Sequence, residues 1–136
     1  MLRFETIELT QDYQRLAPDC SEIRFLPEMN GGGLAHCTLR AGGISKPIYH
    51  RTVEEIWYCL EGEGEVWRKQ DDREEVTRFV PGVSLTIPKR TRFQFRNQGD
   101  RPLRFIISTM PPWPGSSEAV TLESGYWAGW PKECDV

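Results

Sequence analysis

The sequence has only two histidines, His36 and His50, and its four cysteines include no C-x-x-C pair. It also has no apolar run approaching the roughly 20 residues of a membrane span. Its formal net charge of -3 mixes both signs along the chain. It therefore lacks the basic stripe that a phosphate backbone requires, and no nucleic-acid partner is expected. The opening Met-Leu-Arg-Phe-Glu-Thr-Ile-Glu puts acidic residues where a secretory leader needs apolar ones. A cytoplasmic protein with no membrane contact is the expectation. In a reducing compartment Cys20, Cys37, Cys59 and Cys134 read as free thiols.

Long helical patterns are missing as well. Ten prolines and twelve glycines punctuate 136 residues, so short strands and turns are the natural reading and the fold class is all-β. The length suits one domain, residues 1–136, with a core over about 20–112, an N-terminal strand at 2–9 and an aromatic tail over 113–136. Residues 11–18 read as a turn of helix ended by Pro18. In the strand over 34–40, Cys37 and Leu39 share one parity while His36, Thr38 and Arg40 share the other, which makes His36 an outward or interface residue. The tail's Tyr126, Trp127 and Trp130 are too aromatic to lie free in water. They are expected to cover a barrel mouth or a subunit contact.

Chemistry concentrates between Gly42 and Gly62. Period two puts Glu55, Trp57 and Cys59 on one face and Ile56, Tyr58 and Leu60 on the other. Cys59 then stands about 13 Å along the strand from Glu55. Over 92–96 the same rule turns Phe93 and Phe95 one way and Arg92, Gln94 and Arg96 the other.

The spacing Gly42, Ile48, His50, Glu55, Gly62 resembles the first motif of the cupin superfamily, with Ile48 in place of a histidine. Gly82, Pro88, Phe93, Asn97 resembles the second motif, with Phe93 in place of a histidine and Arg90 in place of a glycine. The 19 residues between the motifs, 63–81, match a short single-domain bacterial cupin. Taking His50 and Thr52 as the histidine pair fits worse at both ends. The resemblance implies a double-stranded β-helix, or jelly-roll, barrel of about eight to eleven strands. It also implies four convergent metal-ligand positions at Ile48, His50, Glu55 and Phe93.

Two of those four positions carry no donor atom, so no cofactor is expected; a weakly held divalent metal would rest on His50 and Glu55 alone. The metal-free sugar epimerases of the superfamily use a histidine with a carboxylate, which casts His50 and Glu55 as catalytic acid and base, near each other in an apolar cavity where desolvation and mutual charge would shift both groups. Ile48, Trp57, Cys59, Phe93 and Phe95 would line the ligand cavity. Three functions stay open: a metal-independent isomerase, epimerase, cyclase or lyase; a non-catalytic binding or sensing barrel; and a metal enzyme with a reduced ligand set. The expected partners are a small-molecule ligand and a second copy of the chain, since an N-terminal strand in cupins often pairs with a neighbouring subunit's sheet.

Overall fold

In a computed structural model of the chain, residues 1–134 are described. Eleven strands run in order: β1 (Arg15–Leu16), β2 (Glu22–Glu28), β3 (Gly33–Leu39), β4 (Ile48–His50), β5 (Glu54–Glu61), β6 (Gly64–Gln70), β7 (Arg73–Phe79), β8 (Ser84–Ile87), β9 (Arg92–Asn97), β10 (Leu103–Met110) and β11 (Ala119–Thr121). They form two antiparallel sheets, β1-β2-β3-β10-β5-β8 and β11-β4-β9-β6-β7. This is the expected all-β double-stranded β-helix, with no helix among the described residues.

Alternation builds the core directly. Along β5 the buried residues are Glu55, Trp57 and Cys59, and along β10 they are Leu103, Phe105, Ile107 and Thr109. The register pairs Trp57 with Ile107 and Cys59 with Phe105, so the two strands present one continuous inner face. Trp57 is its centre, with ring centroids 5.5 Å from Phe93, 5.3 Å from Phe95 and 4.6 Å from Phe105. Tyr49 and Tyr58 take the opposite parity, the first half-buried and the second exposed. At the turn from β5 to β6, Gly62 has φ +99°, and a Cβ there would sit 2.7 Å from the Leu103 Cα. Glycine is required at this corner by conformation and by space.

Several expectations are corrected. Residues 2–9 form no strand: the alternation is present, but no sheet edge of the same chain takes up the backbone, and Leu2 and Phe4 are exposed. Residues 11–18 form the two-residue β1 and no helix; Arg24 holds the preceding chain, donating to the Thr10 and Gln11 carbonyls at 3.0 and 2.6 Å. His36 is on the outward parity yet buried, kept neutral by burial and by the charges of Arg24 and Arg104.

Tyr126 and Trp127 of the tail cover the outer face of the five-stranded sheet rather than a barrel mouth. Trp127 lies over the Arg96 guanidinium at 4.6 Å, and Tyr126 faces Trp67 at 6.2 Å. Gln94, on the outward parity, is fully buried beneath this cover, donating to the Ser45 and Trp127 carbonyls and accepting from the Trp127 N–H. Trp130 is half-buried under Lys132, while residues 135–136 of the expected tail lie outside the described residues. Because the tail returns to the turn before β2, Cys20 and Cys134 meet in a disulfide, Cα to Cα 5.1 Å. The free-thiol reading holds only for the buried Cys37 and Cys59.

Candidate functional site

A cavity of about 390 Å³ lies between the sheets. β4 contributes Ile48 and His50, β5 Glu55 and Trp57, and β9 Phe93 and Phe95. Ile48 and Phe93 are direct cross-strand partners. The inward parity of three strands thus brings together six of the seven expected site residues. Cys59 is the exception. It is fully buried but does not line the cavity, its Sγ facing the Glu61 carbonyl oxygen at 3.7 Å and its thiol pushed to about 11 by burial.

His50 is 4% exposed and held edge-on between Phe93, at 5.1 Å, and Trp113, at 5.0 Å. Its Nδ1 has no hydrogen-bond partner. Burial lowers its pKa to about 4, only partly opposed by the charge of Glu118, so the imidazole is neutral at pH 7. Glu55 receives a hydrogen bond from Trp57 Nε1 at 2.8 Å. Burial nevertheless raises its pKa to about 8, helped by the charges of Asp19 and Glu118, so it is a protonated acid at pH 7. No hydrogen bond joins His50 to Glu55 among the described residues. The expected shift by desolvation is the leading cause for both groups, while the expected mutual charge is corrected: the charges that act are those of Asp19 and Glu118.

Sequence reasoning missed Asp19, Ser21, Trp113 and Glu118. Asp19 and Ser21 line the cavity from the turn before β2, with Asp19 Oδ1 accepting from the Ser21 N–H at 3.0 Å and its hydroxyl at 2.6 Å. Between them Cys20 takes the left-handed conformation, φ 77°. Glu118 clamps the loop between His50 and Glu55, accepting from the backbone N–H of Thr52 at 2.7 Å and of Val53 at 3.0 Å. None of these four lies on an alternating strand, so no periodicity marks them. The only signal for Glu118 was a carboxylate just ahead of the short Ala-Val-Thr run that became β11.

A cupin domain model matches residues 35–109, which is more than half of the chain and spans both glycine-anchored motifs. The chain belongs to the cupin domain family. An uncharacterized protein of Methanocaldococcus jannaschii is 31% identical over 111 residues, 75% of this cupin and 86% of that protein. Among solved structures, a Klebsiella pneumoniae protein with a double-stranded β-helix domain superposes with TM-score 0.64 at 18% identity, covering 82% of this chain and 92% of that one. KdgF from Halomonas sp. gives 0.61 at 18%, covering 74% and 86%. An oxalate decarboxylase of Bacillus subtilis with Mn(II) centres gives 0.67 at 17%, covering 82% of this chain but 30% of its own. At these identities the likeness concerns the fold.

The donor set of this cupin does not fit a metal of that kind. Ile48 and Phe93 supply no donor, and among the described residues no three His, Cys, Asp or Glu side chains stand together as a metal-holding group.

The two shifted groups give the cupin a signature in its stability against pH. Glu55 holds its proton in the folded state up to about pH 8 but only to 4.5 when unfolded, so it destabilises the fold as pH rises through that window. His50 acts in the opposite sense between about 4 and 6.5, where the unfolded state binds the extra proton. The two nearly cancel below 6.5. Above pH 6.5 the opposition from His50 fades while Asp19, also raised by burial, acts in the same sense as Glu55, and urea unfolding should show stability falling by roughly 1 kcal/mol or more toward pH 8, reduced in Glu55→Gln. A wild-type profile that is flat or rising over that range would show that Glu55 is ionised in the fold.

Proposed function

We propose that this cupin binds a small, mostly apolar or aromatic molecule and acts on it without a metal, as an isomerase, epimerase, cyclase or lyase. One observation carries this reading: a protonated carboxylic acid and a neutral imidazole face the same apolar cavity, their proton affinities pushed apart by burial. In the step this supports, Glu55 gives its proton to a substrate carbonyl oxygen while a nitrogen of His50 takes one from the carbon next to that carbonyl. The product is an enol, and returning the proton to the other face or a neighbouring carbon completes epimerisation or isomerisation. Trp57, Phe93 and Trp113 exclude water around the reacting atoms.

The experiment is a screen of small aromatic acids, sugars and keto acids, read by Trp57 emission and melting temperature, followed by proton NMR of each binder in D₂O. Exchange of a carbon-bound proton, reduced about a hundredfold or more in His50→Gln and Glu55→Gln, is the expected result. A screen in which nothing binds would sink the reading. The second reading, a non-catalytic binding or sensing barrel, is favoured by the unpartnered Nδ1 of His50, because a general base is ordinarily oriented by a third group. It is the conclusion if binders return chemically unaltered.

A homodimer goes with this proposal. Leu2, Phe4, Ile7 and Leu9 are exposed on a segment that belongs to no strand, and a second copy could take up their apolar surface. Deleting residues 1–10 should then halve the mass measured by light scattering; an unchanged mass would place any contact elsewhere. Among the described residues no helix is long and apolar enough to cross a membrane. The proposed compartment is the cytoplasm, where the Cys20–Cys134 bridge must resist reduction by the thiol pool.

A further inference from the structure

We propose that a second copy of the chain docks on the outer face of the six-stranded sheet, each copy laying residues 2–9 across the β5 and β10 side chains of the other. This rests on the homodimer proposed above and names the surface that receives the exposed segment.

The two sheets differ on their outer sides. Over the five-stranded sheet lie Tyr126 and Trp127, and the outward Gln94 is fully buried beneath them. On the six-stranded sheet, β5 turns Ile56, Tyr58 and Leu60 outward at 46%, 49% and 43% exposure. The half-buried Ile106 of β10 pairs directly with Tyr58, so these side chains form one patch across two adjacent strands. The ion pair of Arg104 with Glu61 flanks the patch. An apolar centre with a charged rim is the anatomy of a protein–protein contact.

The chain itself supplies the matching partner. Arg24 stands on the outward parity of β2, opposite His36, and reaches Thr38 Oγ1 at 3.3 Å while holding the Thr10 and Gln11 carbonyls. The segment ahead of this anchor therefore leaves from the outer side of the same sheet. It carries Leu2, Phe4, Ile7 and Leu9, all exposed and in no strand, and it does not cover the patch of its own chain. Eight extended residues reach roughly 27 Å, whereas the three strand spacings from β2 to β5 come to about 14 Å. Exchange between two copies about a twofold axis then buries both segments and both patches with one set of contacts. Pairing along a sheet edge offers less backbone to bond, because the edges of this sheet are the two-residue β1 and the four-residue β8.

The test is sedimentation equilibrium of the full chain over about 1 to 100 μM, compared with Tyr58→Lys, Ile56→Lys and a variant lacking residues 1–10. The parent should approach twice the chain mass, and each of the three changes should weaken self-association about thirtyfold or more. Met29→Lys, an exposed apolar residue in the turn after β2, should leave it unchanged. Combining Tyr58→Lys with the deletion should weaken it little beyond either alone, because both remove the same contact. If the deletion dissociates the dimer while Tyr58→Lys and Ile56→Lys do not, the docking face is overturned and the homodimer stands. If the two face variants dissociate it and the deletion does not, the role of residues 2–9 is overturned. A parent of single-chain mass at the highest concentration overturns the docking face and the homodimer together.

Discussion

Replacing Ile48 and Phe93 together by histidine should turn a cavity that binds little metal into one that binds zinc, nickel or iron stoichiometrically. The two positions are cross-strand partners, the Phe93 ring is 5.1 Å from His50, and all of them face the cavity that Glu55 enters. Three imidazoles and a carboxylate would then converge where the parent offers one of each. Placing polar rings in an apolar wall costs about 1 to 3 kcal/mol before metal is added, so the comparison belongs on variants shown to be folded. With metal at about a hundred times Kd, mass action returns about 2.7 kcal/mol, a rise in melting temperature of roughly 10 °C. Metal content after dialysis and the melting shift give the readout. Equal stoichiometry in parent and double variant would mean that the parent recruits other ligands or that these positions do not converge.

The second large effect lies at the other end of the site. The Cys20–Cys134 bridge spans 114 residues of sequence. By chain entropy alone, closing a loop of that length is worth about 4 to 5 kcal/mol, a large share of the 5 to 15 kcal/mol typical of a domain. Urea unfolding with and without reductant should show a loss of that order in the parent. Cys134→Ser should match the reduced parent and ignore the reductant. The loss should reach the site too, because freeing Cys20 loosens the turn that presents Asp19 and Ser21. A stability difference below about 1 kcal/mol would show that the tail is held by β11 and the Gln94 contacts without the bridge.

Strict period two made the barrel legible. Glu55, Trp57, Phe93 and Phe95 turn inward because alternation on a twisted sheet leaves no other choice, and the glycine-anchored motifs fixed the register. The same rule misjudged depth at Cys59, which has the inward parity but lies too far along β5 to reach the cavity. It misjudged cover at His36 and Gln94, whose outward parity means solvent only where nothing lies over the sheet. It gave a strand at residues 2–9 because alternation is necessary for pairing but supplies no partner. Asp19, Ser21 and Glu118 escaped altogether. They sit on irregular backbone placed by a left-handed residue, a distant disulfide and a returning tail, all products of tertiary contact rather than local pattern.

The central claim, a metal-independent small-molecule cavity, is tested most directly by native mass spectrometry of the parent protein purified without added metal, with elemental analysis of the same sample. The account predicts an organic adduct that dissociates on unfolding and is lost in Glu55→Gln, with transition metal far below one per chain. A stoichiometric metal ion in the parent, retained in Glu55→Gln and without any organic adduct, would contradict it.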